Sequence, residues 1–586
     1  MSNNAKKNKS FYLFLIVIPF ILLLMLELIL NLFSFGQDYP LFIESNTIKG
    51  YSQPNPNVIK RFFSNPELAP KIEPDTFYFK KKKPENSFRI VIQGGSTAAG
   101  FPFGRFGSIQ GMLQQRFKRI YPDKEIEIIS TAMSAVNTYT LLDFTEEIIE
   151  IKPDLILIYA GHNEYVGIMG VGSAFSLNSS RAATLMFLKL KELKLFQLMQ
   201  SFVSLFQSDT HTSRPDQTEK RTLMAKAAKS KNIVLNSELF YKGVEQFSLN
   251  LDMILNNYKN AGIPVLISTL ASNEVDQAPF VSGKDESSAN DYFEKAQQLM
   301  KQYKYEVAKS AFIEAKDRDL LRFRAPSIFN QIIKEKIDHK LIQLVDTEAA
   351  IRSDASNHII GFQHMFEHLH PNARGYFIMA EAFVSKIIKE KFISKSATRY
   401  PKSMAWKDIP LTKVDLIAAA FKIKTLVSDY PFKKNKVAVQ FDAINSFENQ
   451  AALRMLKPYD WFTLHQEMLK HYQQSNSGDK LSNLHEAAKI AGLMFDAFPN
   501  RHEIAWGAGQ IYFSINDTKI AEYYLKQAVT LQPKNTEYLM NYAYTLYVNK
   551  DVLSSMRILE RVLIVNPNHT QALKQKKRIS LEVNIL

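Results

Sequence analysis

Cysteine is absent from the 586 residues of the chain. This excludes disulfide-stabilised folds, zinc sites built on thiolates, iron–sulfur clusters and cysteine nucleophiles. Acidic residues are outnumbered, 58 Asp and Glu against 73 Lys and Arg, which gives a formal net charge of +15. The basic residues are scattered and no DNA- or RNA-binding motif accompanies them, so no nucleic-acid partner is expected. Two short basic runs, 80–83 and 574–578, are expected to be solvated surface, with anionic lipid or polysaccharide as the alternative.

Length and composition indicate a globular protein of more than one domain. Hydrophobic residues make up 46% of the chain and charged residues 22%, which argues against long disorder. A single hydrophobic core rarely grows past about 250–300 residues. Two or three domains are therefore expected.

An apolar run from Phe11 to Phe33, broken only by Glu27 and Asn31, is long enough to cross a membrane. At a rise of about 1.5 Å per residue it spans roughly 34 Å, against about 30 Å for a bilayer hydrocarbon core. A secretory signal has a shorter apolar region and a small-residue cleavage site, so residues 1–35 are interpreted as a cytoplasmic tip and one uncleaved transmembrane anchor. Lysines precede the run, and no Lys or Arg occurs from Gly36 to Ile48. The positive-inside rule then places the body outside, which favours a bacterial inner membrane with the body in the periplasm.

The next part of the chain has the pattern of an α/β domain. Residues 36–85 show no clear periodicity and are predicted to be a juxtamembrane connector. From 86 to 396, apolar runs alternate with helical patterns, and strands are predicted at 88–93, 125–130, 154–159, 263–268 and 341–346. This alternation predicts a parallel sheet covered on both faces, with ligands beyond the carboxyl ends of the strands. Helical insertions are predicted at about 165–236 and 274–338, either as lids or as padding.

The carboxyl-terminal third, 404–586, is predicted to be wholly helical. Pro499, Pro533 and Pro567 are 34 residues apart, and small, aromatic and large apolar residues recur in register between them. Small residues let paired helices approach, and Pro ends the second helix of each pair. The pattern resembles tetratricopeptide repeats, well over 458–570 and loosely over 404–457. The resemblance implies a domain that binds a protein partner.

Polar residues follow three of the predicted strands and open the last helix. Ser96 lies in Gly94-Gly95-Ser96 after the first strand, Asn163 lies in Gly161-His162-Asn163-Glu164 after the third, and His370 lies in Glu367-His368-Leu369-His370-Pro371-Asn372 after the fifth. A Ser hydroxyl becomes a useful nucleophile when a neutral imidazole takes its proton, and a carboxylate on the other ring nitrogen orients that imidazole. Acyl transfer to water is the natural reaction of such a set.

This ordered set resembles the SGNH (GDSL-type) hydrolases over about residues 86–392. The resemblance implies a flavodoxin-like five-stranded parallel sheet, Ser96 as nucleophile, His370 as general base and Glu367 as the acid that orients it. It also implies an oxyanion hole formed by the main-chain N–H groups of Ser96 and Ala132 and by the side chain of Asn163. No cofactor is expected.

The chain departs from the family pattern at three of these positions. The family usually has Gly where this chain places Ala132, and Asp where it has Glu367. Gly95 stands where many members carry Asp, which the chemistry does not require. A turn role for Ser96 and capping roles for Asn163 and His370 remain alternatives.

A metal site and a substrate contact are the remaining hypotheses. Glu367 with His364, His368 and His370 could hold a metal, although the spacing matches no zinc signature. Arg322 and Arg324, in the second insertion, could contact an anionic or acylated substrate. The alternative for this pair is a solvated helix end with one buried Phe.

Three functions fit these observations. The first is a membrane-anchored, outward-facing serine esterase that removes acyl groups, acetyl above all, from a cell-envelope glycan, with the repeats binding a partner. The second is an O-acyltransferase acting on a surface polysaccharide. The third is a catalytically silent envelope scaffold. The glycan follows from analogy and location and from no single residue.

Overall fold

The structure is a computed structural model. It describes residues 2–585 except 64, 76, 175–179, 207–221, 223, 225, 227–231, 285–287, 442–444 and 476–478. The middle of the first predicted insertion therefore lies outside the described residues.

The chain begins with a long helix, α1 (Ser2–Leu32). Its segment Leu15–Leu32 has a mean hydropathy of 2.7 and contains no buried residue. Among the described residues it is the one helix long and apolar enough to cross a membrane, a property that a signal sequence shares.

The predicted connector is folded. It contains an antiparallel sheet, β1 (Phe42–Glu44), β2 (Tyr51–Pro54) and β3 (Phe79–Lys80). Its buried side chains, including Leu41, Val58 and Phe62, belong to the same hydrophobic core as the central sheet. The folded domain thus begins well before residue 86. Strands of two to four residues interrupted by Pro and Asn are too short to produce a readable period.

The central sheet confirms the predicted fold class. Its five parallel strands have the order β5-β4-β6-β7-β8. The strands are β4 (Ser87–Gly94), β5 (Glu125–Ser130), β6 (Leu155–Tyr159), β7 (Val265–Ser268) and β8 (Ile342–Val345). The first half of the domain also contains α2 (Ser96–Ala99), α3 (Ile109–Ile120), α4 (Thr138–Asp143) and α5 (Thr145–Glu150). Every residue of β6 and β7 is buried, as expected for strands with helices on both faces.

Both insertions form helices in the residues that the structure describes. The described part of the first contains α6 (Arg181–Leu190) and α7 (Lys194–Phe206), followed by the long covering helix α8 (Glu238–Asn260). The second contains a helical hairpin, α9 (Ala289–Lys301) and α10 (Tyr305–Asp317), and then α11 (Ser327–Glu335). The hairpin has a small hydrophobic core of its own. After β8 come α12 (Thr347–Asp354) and α13 (Ala373–Lys389).

The rest of the chain is helical. Its first five helices are α14 (Lys402–Lys407), α15 (Lys413–Leu426), α16 (Phe447–Arg454), α17 (Trp461–Gln474) and α18 (Lys480–Ala497). The next five are α19 (His502–Ser514), α20 (Thr518–Leu531), α21 (Thr536–Val548), α22 (Val552–Val565) and α23 (Thr570–Ile585). The three prolines follow the ends of α18, α20 and α22, as the repeat pattern predicts. A Cβ on Gly509 would lie 2.6 Å from Leu525 Cγ, so the close approach of α19 and α20 requires a glycine there.

Buried ion pairs join the repeat region to the α/β domain through α3. Lys118 Nζ lies 2.5 Å from Asp496 and 3.0 Å from the Tyr524 hydroxyl. Arg119 donates to Asp408 at 2.6 Å and to both carboxylate oxygens of Asp517, at 2.7 and 2.6 Å. Burial alone would lower the pKa of Arg119, but the hydrogen bonds to Asp517 and Asp408 raise it above its ordinary value. Because an unpaired buried charge is costly, these ion pairs hold the repeat region and the α/β domain in one relative arrangement.

Candidate active site

Ser96 occupies the turn between β4 and α2. Gly95 is extended and Ser96 begins the helix, so the main-chain N–H of Ser96 has no intrahelical acceptor. A Cβ on Gly95 would lie 2.8 Å from Asn163 Nδ2. A larger residue at position 95 would therefore shift the amide of Asn163.

His370 lies next to Ser96. The Ser96 Oγ and His370 Nε2 atoms are 2.7 Å apart, although the residues are 274 positions apart in sequence. His370 precedes α13, whose amino terminus is capped by the Asn372 side chain through the N–H groups of Arg374 and Gly375. The cap fixes where the helix begins and thereby the backbone that carries His370.

Glu367 receives four N–H groups, two from the main chain and two from imidazoles. The N–H groups of His368 and His370 donate to it at 2.7 and 3.0 Å. Nδ1 of His370 contacts one carboxylate oxygen and Nδ1 of His368 contacts the other. A carboxylate only accepts hydrogen bonds, so both rings hold their proton on Nδ1. Nε2 of His370 is then free to accept the proton of Ser96.

Asn163 supplies an amide beside the nucleophile turn. Its Nδ2 donates to the carbonyl of Val136 at 3.1 Å, which orients the side chain. Its second N–H donates to no group in the part of the chain that the structure describes. A free N–H at this place suits an oxyanion donor.

Ala132, whose main-chain N–H is expected to donate to the oxyanion, lies in the segment after β5. The Ala132 N–H donates to Ser130 Oγ at 3.3 Å and the residue is buried. Three residues later, Ala135 has a φ of +59°, and its carbonyl accepts from the Ile168 N–H. The left-handed conformation favours glycine, which the family usually has in this block. Within the described ranges, the Ala135 N–H has no acceptor, and Ala135 adjoins the carbonyl that holds Asn163.

Burial keeps the histidines of the site neutral. It lowers the pKa of His370 to about 3, and likewise that of His162 to about 3, where His370 and Lys316 add a smaller effect. The pKa of His368 is lowered by burial, and the positive charge of Arg324 adds to this effect. A neutral imidazole is the form that accepts a proton.

Glu164, next to Asn163, is a second buried carboxyl. It contacts the hydroxyl of Thr138 at 2.6 Å and Nε2 of Gln246 at 2.5 Å. Burial raises its pKa to about 7, against the lowering effect of these hydrogen bonds. It thus holds the loop after β6 to α4 and α8.

Aromatic side chains that no sequence motif indicates pack against His370 and His368. The ring of Phe101 is 4.6 Å from that of His370, and the carbonyl of Phe101 accepts from the Tyr376 hydroxyl at 2.7 Å. Phe432, from the segment after α15, lies 5.5 Å from the ring of His368. No motif marks these residues, because phenylalanines are frequent, 41 in this chain, and contacts between distant segments leave no local pattern.

Arg322 and Arg324 are buried, not on a solvated helix end. Arg322 donates to the carbonyls of Ile233 and Asp317, and Arg324 pairs with Asp319 at 3.1 Å. Arg322 Nη2 and Arg324 Nε have no hydrogen-bond partner among the described residues, and the substrate role of this pair stays a prediction.

The residues that could hold a metal overlap with those of the triad at Glu367 and His370. Ligand atoms of Glu367, His368 and His370 lie within 4.8 Å of one another. His364 does not belong to this set: its Nε2 lies 2.8 Å from a carboxylate oxygen of Asp354.

No protein-family model and no curated protein matches the chain. Among solved structures, a protein described as an acylhydrolase from Bacteroides fragilis is 12% identical, with 53% of this chain and 91% of that chain covered and a TM-score of 0.27. A GDSL-like lipase from Bacteroides thetaiotaomicron is 14% identical, with 53% and 92% covered and a TM-score of 0.26. The first tetratricopeptide domain of human RPAP3 is 20% identical, with 20% and 89% covered and a TM-score of 0.18. The chain is thus similar to GDSL-type hydrolases over about half its length and to tetratricopeptide proteins over about a fifth of it.

Proposed function

We propose that the protein is a serine ester hydrolase with Ser96 as nucleophile. The observation that carries this proposal is the 2.7 Å contact between Ser96 Oγ and His370 Nε2, with Glu367 on the opposite ring nitrogen. A nucleophile on one segment, with a neutral base and an orienting acid together on another, forms a complete acyl-transfer set.

The geometry supports the following sequence of events. His370 Nε2 takes the hydroxyl proton as Ser96 Oγ bonds to the ester carbonyl carbon. The N–H groups of Ser96, Ala135 and Asn163 donate to the oxygen that becomes negative, and Glu367 stabilises the imidazolium. The C–O bond to the alcohol then breaks, and the alcohol leaves with the proton from His370. Water repeats the sequence on the acyl-enzyme and releases the acid.

We infer the side of the membrane on which the site lies from the apolar segment of α1. Anchored by Leu15–Leu32 with the lysines on the cytoplasmic side, the body would face outward, toward the cell envelope. Acyl esters, acetyl above all, on an envelope glycan are the proposed substrates. The repeat region would bind a protein partner.

The test uses the full-length protein in detergent with p-nitrophenyl esters from acetyl to octanoyl. Ser96→Ala should lower turnover by about 10⁴-fold or more. The matched control is Thr97→Val, because the neighbouring Thr97 hydroxyl is buried without a hydrogen-bond partner among the described residues and its loss should leave turnover unchanged. Chelators should leave the rate unchanged.

Turnover that survives Ser96→Ala, or that a chelator abolishes and zinc restores, would overturn the serine mechanism. Absence of turnover by the wild-type protein on every ester would favour an acyltransferase without its acceptor or a silent scaffold.

A further inference from the structure

Helix α7 has an unusual composition for a helix on the surface of a water-soluble domain. After Lys194, its sequence LFQLMQSFVSLF contains no charged residue. Met199 and Phe202 are 57% and 60% exposed, and Leu193, just before the helix, is 42% exposed. On the preceding helix α6, Met186 is 62% exposed. Met199 and Phe202 are three residues apart on α7 and therefore lie on the same face, and a patch of exposed apolar side chains marks an interaction surface.

The amino terminus of α7 is held by the anchor helix. The carboxylate of Glu27 accepts the main-chain N–H groups of Lys194 at 2.9 Å and Leu195 at 2.7 Å. The Asn31 amide donates to the same carboxylate at 3.0 Å. A carboxylate at a helix amino terminus is favoured by the helix dipole and satisfies N–H groups that lack an intrahelical partner. These contacts account for a charged residue within the apolar run.

This contact sets the level of α7 along the anchor. Glu27 lies five residues before Leu32, the end of the apolar segment. At about 1.5 Å per residue, its backbone is about 7.5 Å below that end. Amphipathic helices at a membrane surface bury their apolar face about 5–10 Å into the boundary between headgroups and acyl chains. The start of α7 therefore lies at the depth that such helices adopt.

Polar contacts on the other side attach the same helices to the body. Gln197 exchanges two hydrogen bonds with the main chain of Gln37, at 3.0 and 3.2 Å, and Lys194 pairs with Asp38. Lys191 pairs with Asp143 on α4 at 2.9 Å. The helices are thus linked both to the anchor and to the α/β domain.

We propose that α6 and α7 form a second membrane-contacting element, with the exposed apolar side chains of α7 in the outer leaflet beside α1. This inference rests on the proposed membrane anchor. The occupant is lipid, because α7 starts against the anchor helix within the apolar segment and its exposed side chains Met199 and Phe202 are apolar. The consequence is that the catalytic domain has a fixed orientation against the membrane instead of moving freely on a tether.

Site-directed spin labelling of the full chain in lipid vesicles tests the proposal. The chain has no cysteine, so Met199→Cys and Phe202→Cys each give one labelled position. Leu22→Cys, in the anchor, is the lipid reference, and Tyr303→Cys, 78% exposed on the α9–α10 hairpin, is the water reference. Collision of the label with oxygen reports lipid, and collision with a nickel chelate reports water.

Positions 199 and 202 are expected to show an oxygen-to-nickel accessibility ratio several-fold above that at position 303 and below that at position 22, because Leu22 lies deeper in the apolar segment. If position 22 is in lipid while 199 and 202 match 303, the proposal fails and the anchor stands. Shielding of 199 and 202 from both reagents would show a protein contact and would also overturn it. Water exposure at position 22 itself would overturn both the anchor and the proposal.

Discussion

The buried carboxyl of Glu164 makes the stability of the fold depend on pH. Burial raises its pKa to about 7 from an ordinary value of 4.5, and its described hydrogen-bond partners, Thr138 and Gln246, are neutral. Between these two values the folded state holds a proton that the unfolded state has lost. The free energy of unfolding therefore falls as pH rises from about 4.5 through about 7.

The size of the effect follows from the change in pKa. At about 1.4 kcal/mol for each pKa unit, a difference of this size corresponds to roughly 3 kcal/mol between the acidic and the alkaline limit. The Glu164→Gln substitution keeps the side-chain shape and removes the charge, so this part of the pH dependence should disappear. At alkaline pH the variant should be the more stable protein.

Thermal unfolding of wild type and variant at about pH 5 and pH 8 measures this difference. A change of about 3 kcal/mol corresponds to several degrees in Tm for a domain of this size. The matched control is Glu245→Gln, an exposed carboxyl on the same helix as Gln246, which should leave the pH dependence as it is. An equal drop in Tm between the two pH values for wild type and Glu164→Gln would refute the reasoning.

Three further outcomes follow from the structure. Ala135→Gly should raise Tm, by relief of about 1 kcal/mol of left-handed strain, and should retain turnover because the main-chain N–H remains; loss of either would contradict the assignment. Arg119→Met should lower the free energy of unfolding by about 3–5 kcal/mol, because it leaves Asp517 and Asp408 without their partner. Lys526→Met, which removes the exposed pair with Asp123 across the same interface, should lower it little. Equal Tm values for the two variants would show that the buried pairs do not hold the repeat region to the α/β domain. Because burial lowers the pKa of His370, kcat/KM should be constant from about pH 5 to 8, and Glu367→Gln, which removes the charge that favours the imidazolium, should move the acid limb lower still; a limb near pH 6.5 in the wild type would contradict a buried base.

Sequence patterns predicted the sheet well because its strands are buried on both faces. The run 125–130 coincides with β5, and the other four predicted strands differ from the observed ones by at most two residues at either end. Continuous apolar runs bounded by turns remain readable without tertiary information. The connector was not recognised as folded, since its three strands have four residues or fewer and depend on the central core for their burial.

The site was predictable in part. Ser96, Asn163 and His370 lie in short blocks at strand ends, and the topology of a parallel sheet brings such blocks together. The proposed oxyanion donor of the segment after β5 is harder to choose from sequence, because Ala132 and Ala135 are the same residue type and differ only in backbone conformation. Phe432 belongs to the helical carboxyl-terminal third, so its contact with His368 depends on how this region packs against the α/β domain.

Covalent labelling tests the central claim, an activated Ser96, without knowledge of the substrate. The full-length protein would be treated with a fluorophosphonate, and the modified residue identified by peptide mass spectrometry. One adduct is expected, on Ser96, absent in Ser96→Ala, retained in Thr97→Val and strongly slowed in His370→Gln. An unmodified Ser96 in a folded protein, or an adduct that forms equally fast without His370, would contradict the account.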